Sequence, residues 1–180
     1  WKGSEWITPA VSNKVSETAA FRKVLSNQKE IANAYWFISG LGVFEAYING
    51  EPVVRTTRRG NVERDVLKPG YTLPRACKHY FTYDVTDMLK TAAGAENVFA
   101  ALSTSGWWSD AIIGRAGKEC AFRGMLIVRY KDGTEARFGT DTTWSAAYAG
   151  PVMSAGIYEG EIYDARIGTA WMKGGTLGAE

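Results

Sequence analysis

Apolar positions along this chain come in short runs, separated by glycine, proline and small polar residues. Ala19 to Ser26 alternates loosely, as a half-buried strand does. Ala34 to Ser39 is apolar on both parities, the pattern of a strand covered on both faces. Gly40-Leu41-Gly42 breaks it, and Val43 to Ile48 resumes an extended run. Asn49-Gly50 follows, the strongest short hairpin signal, with Glu51 to Arg55 as the return strand. Arg55 to Arg64 is dense in charge and reads as a solvated loop. His79 to Val85 alternates again, and Asp84 to Leu89 offers Asp and Thr as caps for one short helical turn. Glu96 to Ser103 and Ala121 to Tyr130 are further strands; Lys131-Asp132-Gly133 turns the second into a return over Thr134 to Phe138. Ala155 to Asp164 reads as a last strand. No amphipathic helix of three turns appears, and no repeat of repeat-protein length. Roughly ten short strands predict an all-β fold, a two-sheet antiparallel β-sandwich of jelly-roll type.

Composition supports this and narrows the chemistry. The chain has 180 residues, 20 of them Gly, and 13% are aromatic, a profile of strands and turns. Twenty-one basic side chains against 19 acidic ones leave a net charge of +2, too balanced for a nucleic-acid surface. Hydrophobic residues reach 46%, enough for a core, yet no apolar run approaches the roughly 20 residues of a membrane span. One His and two Cys fall one short of the four ligands of a zinc site built from those residues alone. The length fits one domain, placed at residues 1–171, and the Gly-rich segment 172–180 reads as a tail or linker. The opening Trp1 and this tail suggest a piece of a longer protein.

Several segments together resemble the N-terminal accessory domain of bacterial α-L-rhamnosidases, the family-78 glycoside hydrolases. They are Trp1-Lys-Gly-Ser-Glu-Trp-Ile7, Phe21-Arg-Lys23, Ile38-Ser-Gly-Leu-Gly-Val-Phe-Glu-Ala-Tyr-Ile-Asn-Gly50 and Leu67-Lys-Pro-Gly-Tyr-Thr72. Tyr83-Asp-Val-Thr-Asp-Met-Leu89, Ser105-Gly-Trp-Trp108, Gly150-Pro151 and Tyr158-Glu-Gly-Glu-Ile-Tyr-Asp-Ala-Arg166 with Trp171 complete the set. Their number and order carry the resemblance. It implies a galactose-binding-like β-sandwich in an exported, periplasmic or extracellular enzyme. It also implies that catalysis belongs to a downstream (α/α)-barrel domain, so no catalytic residue is expected here. The implied partners are an L-rhamnose-containing glycan and that downstream domain, with no nucleic acid and no membrane span. In some relatives such a domain holds L-rhamnose through calcium. Calcium wants six to eight oxygens, whereas Thr72 to Lys78 offers no carboxylate and two cations, which argues against it.

Candidate sites follow. Trp107 and Trp108 lie in a Gly-Ser-rich loop, and an indole there is a natural platform for the apolar face of a sugar; the competing reading is a plug at the end of the sandwich. Tyr71, Arg75 and Asp110 are candidate companions. Glu159, Glu161, Asp164 and Arg166 form a charged group read as anchoring a domain junction. Glu159 and Glu161 share one strand face and cannot flank a glycosidic bond as a catalytic pair must. Trp1, Trp6, Trp36, Trp144 and Trp171 are expected to pack, and His79 to be a partly buried structural residue. Cys77 and Cys120 admit either a disulfide, in an oxidising compartment, or two buried thiols.

Overall fold

The computed structural model of the chain describes residues 1–10, 18–56, 62–63, 78–106, 108, 117, 119–156, 158 and 160–177. In order, the strands are β1 (Ala19–Ser26), β2 (Ile31–Leu41), β3 (Val43–Ile48), β4 (Glu51–Pro52), β5 (Arg55–Thr56), β6 (Val62–Glu63) and β7 (Phe81–Asp84). They continue as β8 (Glu96–Thr104), β9 (Ala121–Tyr130), β10 (Glu135–Gly139), β11 (Ser145–Tyr148), β12 (Val152–Gly156) and β13 (Gly160–Tyr163). Two single 3₁₀ turns, Thr86–Met88 and Ala170–Met172, are the helical elements among the described residues.

A five-stranded sheet ordered β11-β1-β8-β3-β4 faces a four-stranded sheet ordered β10-β9-β2-β7, and every pairing is antiparallel. Phe21, Phe44 and Phe99 from the first sheet meet Trp36, Phe122 and Leu126 from the second in one core. This is the two-sheet sandwich that the strand pattern predicts. A smaller cluster lies apart from that core: Ala20, Ala100 and Leu102 of β1 and β8 are covered by Trp171 and Met172. Arg22 Nε donates to the Trp171 carbonyl at 2.8 Å, fastening that turn to β1. Met172 is buried beside Trp171, and Leu177 rests on the same cluster, so the chain stays on the sandwich past residue 171.

The turns form where sequence chemistry places them. Asn49 and Gly50 both take positive φ, 54° and 84°, the geometry that matches strand twist in a two-residue hairpin. Strand β4 is an edge strand and ends at Pro52, shorter than expected; the ring sits where no ladder N–H is needed, and the Val53 N–H beyond it still donates to the Ala46 carbonyl at 2.8 Å. Asp84, Asp132 and Asp141 each use Oδ1 to accept from the backbone N–H and the hydroxyl of the Thr two residues on, so three Asp-x-Thr units make three turns of one kind.

Six expectations are corrected. Strand β2 is not covered on both faces: Trp36 and Ile38 are buried while Tyr35 is 41% exposed, so the aromatic run disguises an ordinary alternation. It also runs through Gly40 and Leu41, breaking only at Gly42. The segment 155–164 is a hairpin, β12 to β13, because the Gly160 region turns the chain back. The charged stretch after Arg55 is not all loop, since β5 pairs with β6. Finally, Trp36 and Trp171 are buried and Trp144 packs on the core, but Trp1 and Trp6 are 42% and 37% exposed. The Trp1 ring meets Tyr80 edge-on at 5.7 Å and the Arg123 guanidinium at 5.1 Å. His79 is likewise exposed, and its carbonyl accepts from Ser39 Oγ at 2.6 Å.

Candidate functional site

The connection leaving β8 is built to hold one indole. After Thr104 the chain turns at Ser105-Gly106, and the Trp108 N–H donates to the Ser105 carbonyl at 2.9 Å. The Gly117 N–H donates to the Trp108 carbonyl at 3.0 Å, and Trp108 Nε1 donates to the Glu119 carbonyl at 2.9 Å. A Cβ at position 117 would lie 2.3 Å from the indole, so only glycine allows the backbone so close. Lys78 Nζ sits 5.2 Å from the centre of the Trp108 ring, within cation–π range. The base of the connection is tied to the sandwich by Cys120, whose buried thiol donates to the Ser103 carbonyl at 3.4 Å. Thr8 Oγ1 donates to the Cys120 carbonyl at 3.0 Å. The neighbouring Tyr148 hydroxyl is a weaker acid than usual because it is buried.

Trp108 is therefore both a partial plug and a partly open ring. Its one polar donor is already used, so it can offer a ligand only its π-surface, and directional hydrogen bonds must come from neighbours such as Lys78. Sequence reasoning did not single out Lys78 or Gly117, because nothing local marks a cation or a glycine that meets a ring from elsewhere in the chain. Trp107, Tyr71, Arg75 and Asp110 lie outside the described residues, as does Cys77. Among the described residues, no group of three or more His, Cys, Asp or Glu side chains gathers. Lys78, the described member of the 72–78 stretch, brings a cation.

The second group of candidates sits on the β12–β13 hairpin. Glu161 is exposed on β13, and Glu159 lies outside the described residues. Arg166 does not reach back to Glu161. It grips Asp164 with two bonds, Nε to Oδ1 at 2.8 Å and Nη2 to Oδ2 at 2.6 Å. The Asp164 N–H in turn donates to the Pro151 carbonyl at 2.8 Å, which pins the hairpin's foot. Hydrogen bonding from the Arg166 side chain, then from its backbone, lowers the Asp164 carboxyl from 3.8 to about 2. An acid whose folded pKa is depressed contributes stability above its unfolded pKa and loses it as pH falls through the folded one. Asp164→Asn should therefore lower the melting temperature at neutral pH, with the gap to the parent closing between about pH 4 and pH 2. A gap unchanged across that window, followed by circular dichroism, would show that the ion pair does nothing.

Beside these charges the hairpin presents apolar surface. Tyr158, Ile162 and Tyr163 are 61%, 64% and 56% exposed. Ile162 and Tyr163 are consecutive on β13 and face opposite sides of the hairpin, so apolar surface is left bare on both of its faces.

The architecture defines a two-sheet antiparallel β-sandwich with an indole-bearing loop and an apolar hairpin outside its core. The chain belongs to the α-L-rhamnosidase N-terminal domain family, whose model matches residues 29–176. It is 32% identical over 172 residues to an α-L-rhamnosidase of Formosa agariphila, an alignment covering 91% of this chain and 17% of that protein. The crystal structure of the Aspergillus terreus α-L-rhamnosidase superposes with a TM-score of 0.73 at 28% identity, covering 95% of this chain and 19% of that one. The Streptomyces avermitilis α-L-rhamnosidase, solved with L-rhamnose, superposes with a TM-score of 0.71 at 33% identity, covering 88% and 15%. The chain thus spans less than a fifth of the length of these relatives.

Proposed function

We propose that this chain is a non-catalytic accessory domain of an exported α-L-rhamnosidase, and that it docks through the β12–β13 hairpin onto the remainder of the same polypeptide. The observation that carries the reading is the exposure of Tyr158, Ile162 and Tyr163 together on a hairpin whose foot is fixed by Asp164 and Arg166. Relatives several times longer supply a partner of matching scale.

The test compares hydrogen exchange of the hairpin in the full-length enzyme and in the isolated domain. Docking predicts slower exchange of residues 160–163 in the full-length protein. Equal exchange in the two would overturn the docking role.

A second reading, recognition of a rhamnoside by this domain, has its own support. Trp108 is an indole locked in place on a loop, and a rigid aromatic surface loses little entropy on binding. Its readout is the Trp108 indole N–H signal during titration with a rhamnoside: a saturable shift supports sugar contact there, and a fixed signal removes it.

A further inference from the structure

A cleft opens along the edge of the sandwich where the two sheets leave each other uncovered. Strand β10 is the edge of the four-stranded sheet and β11 the edge of the five-stranded one, and residues 140–144 join them. The cleft has a volume of about 300 Å³. Protein interiors hold few voids larger than a water molecule, and this volume reaches the lower end of the range, roughly 300–1,000 Å³, of ligand pockets. That size suits one sugar ring.

Its lining divides into an aromatic part and a polar part. Trp144 and Phe138 provide the aromatic part, with Trp36, only 1% exposed, closing the floor behind them; Lys23, Arg137 and Asp141 provide the polar part. The polar groups are fixed in place. Lys23 Nζ donates to Thr143 Oγ1 at 2.6 Å and to the Thr143 carbonyl at 3.2 Å, using two of its three donors. Asp141 accepts both its bonds from Thr143 on Oδ1, so Oδ2 keeps its lone pairs for another donor. One ammonium donor and one carboxylate oxygen thus stand beside aromatic surface. Vicinal hydroxyls, each both donor and acceptor, match that pair, and the C–H face of a ring matches the indole.

The charges also select. Lys23 is offset by Asp141 across Thr143, and Arg137 is paired with Glu135 at 2.9 Å. No uncompensated cation is left in the cleft to favour a carboxylated sugar over a neutral one. We infer that this edge cleft is a subsite for a single neutral pyranose, with Trp144 as its stacking face and Lys23 and Asp141 as its hydroxyl partners. The inference goes beyond the docking reading and is independent of Trp108.

The test is a titration of the ¹⁵N-labelled chain with methyl α-L-rhamnopyranoside, and separately with D-galacturonate, followed by the indole and amide N–H signals. Saturable shifts at the Trp144 indole and the Thr143 amide are expected with the neutral glycoside, and weaker ones with galacturonate. Because Trp144 also packs on the core, the substitutions are made on the rim. Lys23→Met and Asp141→Asn, each with the dispersed spectrum of a folded chain, should weaken binding roughly tenfold or more, the size expected for a lost hydrogen bond to a charged group. Shifts confined to the Trp108 indole would overturn the cleft and leave the loop reading standing. Shifts confined to Trp144 would do the reverse. No saturable shift at Trp144, equal binding by the rim variants, or tighter binding of galacturonate would each overturn the inference.

Discussion

Replacing Phe122 by alanine is expected to lower the unfolding free energy by about 3–5 kcal/mol, the range for emptying a large aromatic site in a packed core. Phe122 is fully buried on β9. Its ring stacks on Phe21 at 5.5 Å and meets Phe44 at 5.8 Å, both from the opposite sheet. It also meets Trp36 edge-on at 6.1 Å and Trp144 at 6.0 Å. Its backbone exchanges hydrogen bonds with Ile7, N–H to carbonyl in both directions, at 2.9 and 3.0 Å. The side chain therefore joins both sheets, while the main chain holds the N-terminal segment against β9. Rings around it are bulky and cannot collapse far into the vacated space, so the upper part of the range is expected. Phe122→Leu keeps most of the volume and should lose much less. Urea unfolding of both variants decides the matter, and a cost below about 1 kcal/mol for alanine would show that the core does not turn on this ring.

The sheets were legible in the sequence for a simple reason. Strand and turn signals are local: β1 alternates loosely, and β8 and β9 are short, mainly apolar runs bounded by turn residues. Asn49-Gly50 and Asp132-Gly133 carry their backbone conformation in their own side chains, or in the lack of one. Sequence and structure part where a local pattern has two meanings. An apolar run such as Ala34 to Ser39 looks the same whether its outward residues are covered or, like Tyr35, left open. Alternation from Ala155 onward runs across Gly156 and Gly160, and an isolated glycine in a strand pattern reads equally as a bulge or as a turn. The exposure of Trp1 and His79 depends on what else reaches that face.

The candidate sites divide in the same way. The loop tryptophans stand out as a pair because Ser-Gly and Ser-Asp flank them, but platform and plug look alike in sequence. That Trp108 has its N–H engaged by Glu119, and a lysine over its ring, is tertiary information from distant residues. The hairpin charges were seen, but Arg166 pairs within its own Asp-x-Arg turn, so the apolar trio beside them is the more informative feature. The edge cleft left no linear trace. Lys23, Arg137 and Asp141 come from separate elements and meet because the connection from β10 to β11 crosses from one sheet edge to the other beside β1.

Asn97→Leu is the companion experiment to Phe122→Ala, because it removes polar order from an equally buried site. Asn97 is 1% exposed, at the start of β8. Its Oδ1 accepts from the Lys90 N–H and from Asn49 Nδ2, both at 2.9 Å. Its Nδ2 donates to Asn27 Oδ1 at 3.2 Å and to the Lys90 carbonyl at 3.1 Å. All four bonding positions of the amide are used. Asn49 extends the network, accepting from the Val98 N–H at 3.0 Å and donating to the Met88 carbonyl at 3.1 Å. One side chain thus fastens the β1–β2 connection, the β3–β4 hairpin and the segment after the first 3₁₀ turn at one end of the sandwich. Leucine has nearly the same shape and strands each partner, so a loss of about 2–4 kcal/mol is expected in urea unfolding. Asn97→Asp separates bonding from shape. At neutral pH its carboxylate faces the Asn27 and Lys90 oxygens, which favours the protonated form and raises its folded pKa. Stability of that variant should then be greatest in mild acid, near about pH 4, and fall as pH rises through the raised pKa, opposite in sign to the Asp164–Arg166 pair. If both variants unfold like the parent, the amide network is decoration and the end of the sandwich is held by its apolar contacts alone.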